Sequence, residues 1–250
     1  MTDYALPAGC LGLVIGSFLN VVIYRLPSRQ SIVYPGSHCP HCRRPLAARD
    51  LIPLLNYFIL GGQCRYCAAR IPIRYPLVEA LTGIAFFLTA HQAADGITLR
   101  LMTDLIFVAG LIALSFIDID TGRLPDRIVL PLLGFGLAAA LLIQGRPDAG
   151  EALLSAAVAG GGFALIAWAY PQGLGWGDVK LIAAIGAFLG FPKILLAILI
   201  GSLSGVLIGV ICIVWRQRKV RQSMPFGPYL TWGALCALFW GQSLLELYWG

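Results

Sequence analysis

ILLAILIGSLSGVLIGVICIVW, from Ile194 to Trp215, runs for 22 positions without a charged side chain. As an α-helix it would extend about 33 Å at roughly 1.5 Å per residue, enough to cross a bilayer hydrocarbon core of about 30 Å. Lipid offers no partner to a backbone N–H or C=O, so a stretch of this kind predicts a transmembrane helix. Seven more apolar stretches follow the same logic: Leu6 to Tyr24, Leu77 to Ala90, Leu101 to Ile117, Ile128 to Ile143, Ala152 to Tyr170, Val179 to Phe191 and Tyr229 to Tyr248. The expected fold class is an all-α polytopic membrane protein with about eight transmembrane helices. Val179 to Phe191 covers only 13 residues and leaves a half-helix open as an alternative to a full crossing.

Composition supports this. Hydrophobic residues make up 58% of the 250-residue chain and charged residues 12%, far from the balance of a soluble domain. The formal charge is +6, but there are too few polar residues to build a basic binding face. Nucleic acid is therefore excluded as a partner, and the lipid bilayer is expected instead. The first apolar stretch has no preceding Lys or Arg, carries Asp3 and lacks a small-residue cleavage site, so it reads as a first span, not as a removable signal.

The charges then set the orientation. If all eight stretches cross and the N-terminus lies outside, the inner loops collect the arginines from Arg25 to Arg74 with Arg123, Arg127, Lys180, Arg216, Arg218, Lys219 and Arg221. Only Arg100, Arg146 and Lys193 are left outside, as the positive-inside rule requires. Residues 1–24 are thus expected to form the first transmembrane helix, residues 25–75 a cytoplasmic loop domain, and residues 76–250 the remaining helices, with both termini periplasmic. No internal repeat suggests an inverted-repeat transporter.

Within the loop domain lie Cys39-x-x-Cys42 and Cys64-x-x-Cys67, 21 residues apart, while Cys10, Cys212 and Cys236 fall in apolar stretches. Two such pairs can present four thiolates tetrahedrally, which suits Zn²⁺. A reducing cytoplasm keeps the thiols free for metal, and four protein ligands would close the metal to substrate, making its role structural. His38 or His41 in place of one thiolate, or redox-active cysteines, are the competing readings.

Acidic residues number only twelve, and two places among them stand out. Phe116 to Asp126 reads FIDIDTGRLPD, with Asp118, Asp120 and Asp126 following directly on an apolar stretch; Gly175 to Asp178 reads GWGD. Ionisable groups bordering a span are costly and usually face a wet cavity. Asp178 opens a helix, and ordinary capping would also explain it. Both clusters, however, fall at inner ends of spans, so they can meet at one depth. Two adjacent carboxylates share a proton, one serving as base towards water and the other as acid towards a carbonyl. Gly175 and Gly177 are expected to allow close backbone approach and unusual dihedrals beside Asp178.

These residues together resemble the type IV prepilin peptidases. The resemblance rests on GSFLNVVIYRLP at Gly16 to Pro27, CPHC at Cys39 to Cys42, CRYC at Cys64 to Cys67, RYPLVE at Arg74 to Glu79, IDIDTGRLPD, GWGDVK, and PFGPYL at Pro225 to Leu230. It implies a bacterial inner-membrane aspartic endopeptidase that cuts the basic leader from prepilins or pseudopilins at the cytoplasmic face. It also implies N-methylation of the new N-terminal residue with S-adenosylmethionine. Carried over, the catalytic pair is Asp118 and Asp178, with Asp120 and Asp126 as supporting acids; Cys39, Cys42, Cys64 and Cys67 are the metal ligands. No G-x-G-x-x-G motif marks a cofactor site, so the residues binding the methyl donor are not identified. Arg25, Asn20 and Glu79 are expected either to mark the methyl-transfer region or to hold the loop against the spans, with simple anchoring at the lipid headgroups as the competing reading of Arg25. The rival classes are an ion-coupled transporter using Asp104, Asp118 and Asp178, and a non-catalytic membrane scaffold with a zinc module.

Overall fold

A computed structural model describes residues 4–93, 96–143, 147–216 and 225–249. Arg146, Arg218, Lys219 and Arg221, which entered the charge count, lie outside the described residues, as does Asp3. The described residues form α1 (Ala5–Arg25), a 3-10 turn (Ala48–Leu51), α2 (Leu55–Ile59), α3 (Arg74–Gln92), α4 (Leu99–Thr121), α5 (Asp126–Leu142), α6 (Ala149–Ala169), α7 (Trp176–Leu189), α8 (Lys193–Arg216) and α9 (Gly227–Trp249). Pairing of extended backbone is limited, among the described residues, to two isolated bridges in the cysteine loop. Each apolar stretch of the sequence has become one long helix.

Four helices, α1, α4, α6 and α8 up to Val214, are both long and apolar enough to cross a membrane. On α8 the side chains of Leu195, Leu199, Leu203, Val206 and Val210 face outward without cover. Such a continuous apolar surface is costly in water and natural in lipid. The 14 residues of α7 would extend only about 21 Å, short of the hydrocarbon thickness.

The chain divides into two compact units, residues 1–113 and 114–250. In the first, α1 packs along α3 through glycines spaced three and four apart. A Cβ at Gly12 would stand 2.7 Å from the Thr82 carbonyl oxygen, and one at Gly16 would stand 2.7 Å from Glu79 Cα. Small residues at this spacing let two backbones touch, which is how helices associate where lipid removes the hydrophobic driving force.

In the second unit α7 is the central element. Val179, Leu181, Ile182 and every residue from Ala184 to Leu189 are buried, so the helix is covered on all its faces. Gly136 of α5 meets Phe188, and Gly186 lies against the Ser155 carbonyl of α6. Helices α8 and α9 cross just as closely. A Cβ at Gly233 would overlap the Ala197 carbonyl oxygen and sit 2.8 Å from the Gly201 nitrogen. Gly233→Ala is therefore expected to lower stability by about 1–3 kcal/mol through overpacking. Thermal unfolding in detergent measures it, and an unchanged midpoint would contradict so close a crossing.

Candidate active site and metal centre

Asp118 lies in the last turn of α4, where the helix ends on Gly122 in the left-handed region (φ +62°), whose N–H caps the Asp118 carbonyl at 2.8 Å. Its side chain is buried, and Oδ2 accepts the Gly227 backbone N–H at 3.0 Å. Gly227 opens α9, and a Cβ there would approach that oxygen to 2.7 Å. The glycine of PFGPYL is thus required because the α9 backbone donates directly to the carboxylate.

Asp178 occupies the first turn of α7, after the N-cap Gly175. Its Oδ1 is buried and has no hydrogen-bond partner. An orphaned buried carboxylate oxygen is expensive, and such groups collect at working sites. The charge of Asp118 reaches Asp178 across the gap between α4 and α7, so the two acids share one electrostatic environment. Asp120 and Asp126 stand apart from this. Asp120 is exposed, and Asp126 pairs with Lys180 at 2.7 and 2.9 Å, tying the first turn of α5 to the second turn of α7.

One expectation is corrected. Gly175 has φ −79° and ψ 146°, extended backbone open to any residue, and no unusual dihedral. What the glycines supply is room: a Cβ at Gly177 would press on Leu124 at 2.9 Å, and one at Gly175 would stand 3.3 Å from Asp178 Oδ2.

In the loop, Cys39, Cys42, Cys64 and Cys67 bring their sulfur atoms within 4.8 Å of one another. The knuckles are built alike. Cys39 donates its N–H to the Arg44 carbonyl and Cys64 to that of Ala69, at 3.0 and 2.8 Å. Arg43 and Ala68, each directly after its second cysteine, take positive φ of 56° and 55°. The Cys39 and Cys67 sulfurs are 3.8 Å apart, close to the edge of a tetrahedron with Zn–S distances of about 2.3 Å. The set contains no histidine; His38 Nδ1 instead lies 3.0 Å from the Gly36 carbonyl. Without a cation this crowding is unfavourable to thiolates. The Ala69 backbone favours the charged form of Cys67, but desolvation and the thiols of Cys64, Cys42 and Cys39 outweigh it and push Cys67 up to about 11. A divalent metal reverses that balance.

The comparisons with known proteins agree with this division of parts. Residues 10–93 match the bacterial peptidase A24 N-terminal domain, and residues 105–210 match the type IV leader peptidase family. The prepilin leader peptidase/N-methyltransferase of Aeromonas hydrophila is 38% identical over 265 residues, spanning 94% of this chain and 90% of that protein. The protein of the same name from Neisseria gonorrhoeae is 40% identical, over 92% of this chain and 89% of its own. That from Pseudomonas aeruginosa is 36% identical, over 95% and 91%.

The chain belongs to the type IV leader peptidase family.

No solved structure matches it at a significant level. Within this leader peptidase, the first matched segment contains the four cysteines and the second contains both Asp118 and Asp178.

Arg25 and Asp50 hold the cysteine loop in shape. Buried at the end of α1, the Arg25 guanidinium donates to the carbonyls of Ser31, Pro35 and Gly36 at 3.0, 2.6 and 3.2 Å. These bonds make it a clamp on the loop. Asp50 accepts from Arg65 Nε at 2.7 Å, the Tyr66 hydroxyl at 2.9 Å and the Ala47 N–H at 3.1 Å. The Arg65 hydrogen bond, with those from Tyr66 and Ala47, holds the Asp50 carboxyl below its ordinary value. A depressed carboxylate contributes stability that is present above its unfolded value and lost as pH falls through the folded one. Limited proteolysis of the loop should therefore accelerate below about pH 4. It should also accelerate at neutral pH in Asp50→Asn, which weakens the loop by about 1–3 kcal/mol; equal cleavage rates in the variant and the parent would refute the role.

Proposed function

We propose that this leader peptidase is a membrane aspartic endopeptidase that removes the basic leader from type IV prepilins or pseudopilins at the cytoplasmic face, and that it N-methylates the new N-terminal residue. The observation carrying the first half is the pairing of buried Asp118 with Asp178, whose Oδ1 is buried and unpartnered. In this mechanism the Gly227 N–H orients Asp118 through one oxygen, and the unpaired oxygen of Asp178 receives the attacking water. The two acids share a proton; one takes a proton from water as it attacks the scissile carbonyl, and the other protonates the carbonyl oxygen. No covalent intermediate is needed.

Cys39, Cys42, Cys64 and Cys67 would hold Zn²⁺ as a structural ion with no open position, keeping it out of the chemistry. S-adenosylmethionine, when bound, supplies the methyl group. All eight long helices are taken to cross the inner membrane, with residues 25–75 as the cytoplasmic zinc module, residues 1–24 as the first helix, residues 76–250 as the peptidase part, and both termini periplasmic. The shortness of α7 is no obstacle, because protein surrounds it. Basic Arg123, Arg127 and Lys180 beside the two acids support a cytoplasmic site.

Purified protein incubated with a prepilin and followed by mass spectrometry tests the reading. Loss of the leader and methylation of the product are expected. An ion-coupled transporter using Asp104, Asp118 and Asp178, or a scaffold, would leave the prepilin intact.

A further inference from the structure

A surface helix in water turns its apolar side chains inward, and α2 does the reverse. Asn56, Tyr57 and the following Leu60 face a cavity of about 950 Å³ that the cysteine loop encloses with α1 and the start of α3. Asn56 is held there: its Nδ2 donates to the Asp50 carbonyl at 2.9 Å, and its Oδ1 accepts from Arg65 at 3.2 Å. Leu55, Phe58 and Ile59, at the i, i+3 and i+4 spacing that shares one helix face, do not line the cavity and are 61, 72 and 75% exposed. Leu51 and Ile52, just ahead in the chain, are exposed too. An apolar face of this kind marks an interaction surface.

Depth and charge together say what covers it. The Leu54 N–H, directly before α2, donates to Glu79 Oε2 at 2.9 Å, which fixes α2 beside the second turn of α3. The outward apolar stripe of α3, formed by Leu77, Leu81 and Ile84, begins two residues before Glu79. Thus α2 lies at the level where α3 first meets lipid. Between Leu26 and Ile73 six arginines, Arg29, Arg43, Arg44, Arg49, Arg65 and Arg70, are exposed, and the one acid, Asp50, is paired with Arg65. A surface with this excess repels a basic leader and a second copy of itself, and attracts anionic lipid headgroups.

We propose that α2 is an interfacial helix lying on the inner leaflet, with Leu55, Phe58 and Ile59 seated at the boundary between headgroups and acyl chains and the arginines on anionic phospholipid. The cysteine module is then held to the bilayer in two ways, by its covalent joins to α1 and α3 and by α2 on the lipid. The assignment rests on the cytoplasmic placement of residues 25–75.

Hydrogen–deuterium exchange of the zinc-loaded full-length protein tests it, in nanodiscs of phosphatidylcholine alone and with phosphatidylglycerol added. The amides of residues 51–60 are expected to exchange roughly tenfold more slowly in the anionic bilayer, a factor that one or two arginines near such a surface supply, and high salt should erase the difference. Phe58→Glu should abolish the protection with zinc content unchanged, because the side chain is exposed. Phe58→Trp should keep it, since Trp is favoured at membrane interfaces. Equal exchange of the wild type in both bilayers, or protection that survives in Phe58→Glu, overturns the proposal. Slowing that requires a prepilin, or that grows with protein concentration in detergent, also overturns it and gives the face to the substrate or to a second copy. Failure of the cytoplasmic reading has a separate readout: protease added outside intact spheroplasts would cut between residues 25 and 75.

Discussion

Asp118→Asn and Asp178→Asn are each expected to slow leader cleavage by about 10³-fold or more while the helices stay folded and inserted. In the proposed mechanism one proton moves between two carboxyl groups, and an amide can neither take it from water nor give it to a carbonyl. Shape is nearly preserved. In Asp118→Asn the amide oxygen could still accept the Gly227 N–H, and Asp178→Asn removes the charge from a half-buried group, so unfolding would not account for the loss. The double variant should be little worse than either single one, since groups acting as a unit are not additive. Mass spectrometry of a prepilin incubated with each variant measures it. Near-normal cutting by Asp118→Asn would transfer the first catalytic role to Asp120, two residues on and exposed.

Stripping the metal from the loop is the other large effect. Between Arg25 and Arg74 the only buried apolar side chains are those of Cys39 and Cys64, while Val33, Tyr34, Phe58, Ile59 and Ile73 are exposed. A segment of about fifty residues with so little core lacks the burial to offset its conformational entropy. A chelator, or Cys39→Ser, should therefore unfold residues 25–75 and leave the long helices intact. Limited proteolysis should show rapid cutting confined to this segment, with little change in circular dichroism. A zinc-free preparation that resists proteolysis as well as the native one would contradict the assignment.

Much of this was legible before any coordinates. The apolar stretches mark every long helix because the backbone in lipid must bond to itself, and a run of 14 to 24 residues has no other way to do so. The CxxC pairs announced their cluster because metal geometry demands two ligands per knuckle. Other features had no local signal. PFGPYL was visible as a motif, yet nothing in it tells that its glycine N–H meets Asp118, 109 residues earlier. Gly9, Gly12 and Gly16 do carry a pattern, one α1 face of small residues, that could have predicted the close pairing with α3. Asp126 looked like a member of the acid cluster and proves to be the partner of Lys180.

From its order of residues alone the chain determines where it is helical and which side chains are chemically capable, because hydrophobic length, charge placement and ligand spacing act over a few neighbouring positions. Only the folded arrangement decides which capable groups meet: Asp118 with Gly227, Asn20 with Glu79 around one cavity, Arg25 with the loop it clamps. Those pairings depend on helix crossings set by atoms in van der Waals contact, and contacts between segments far apart along the chain leave no mark in either segment read by itself.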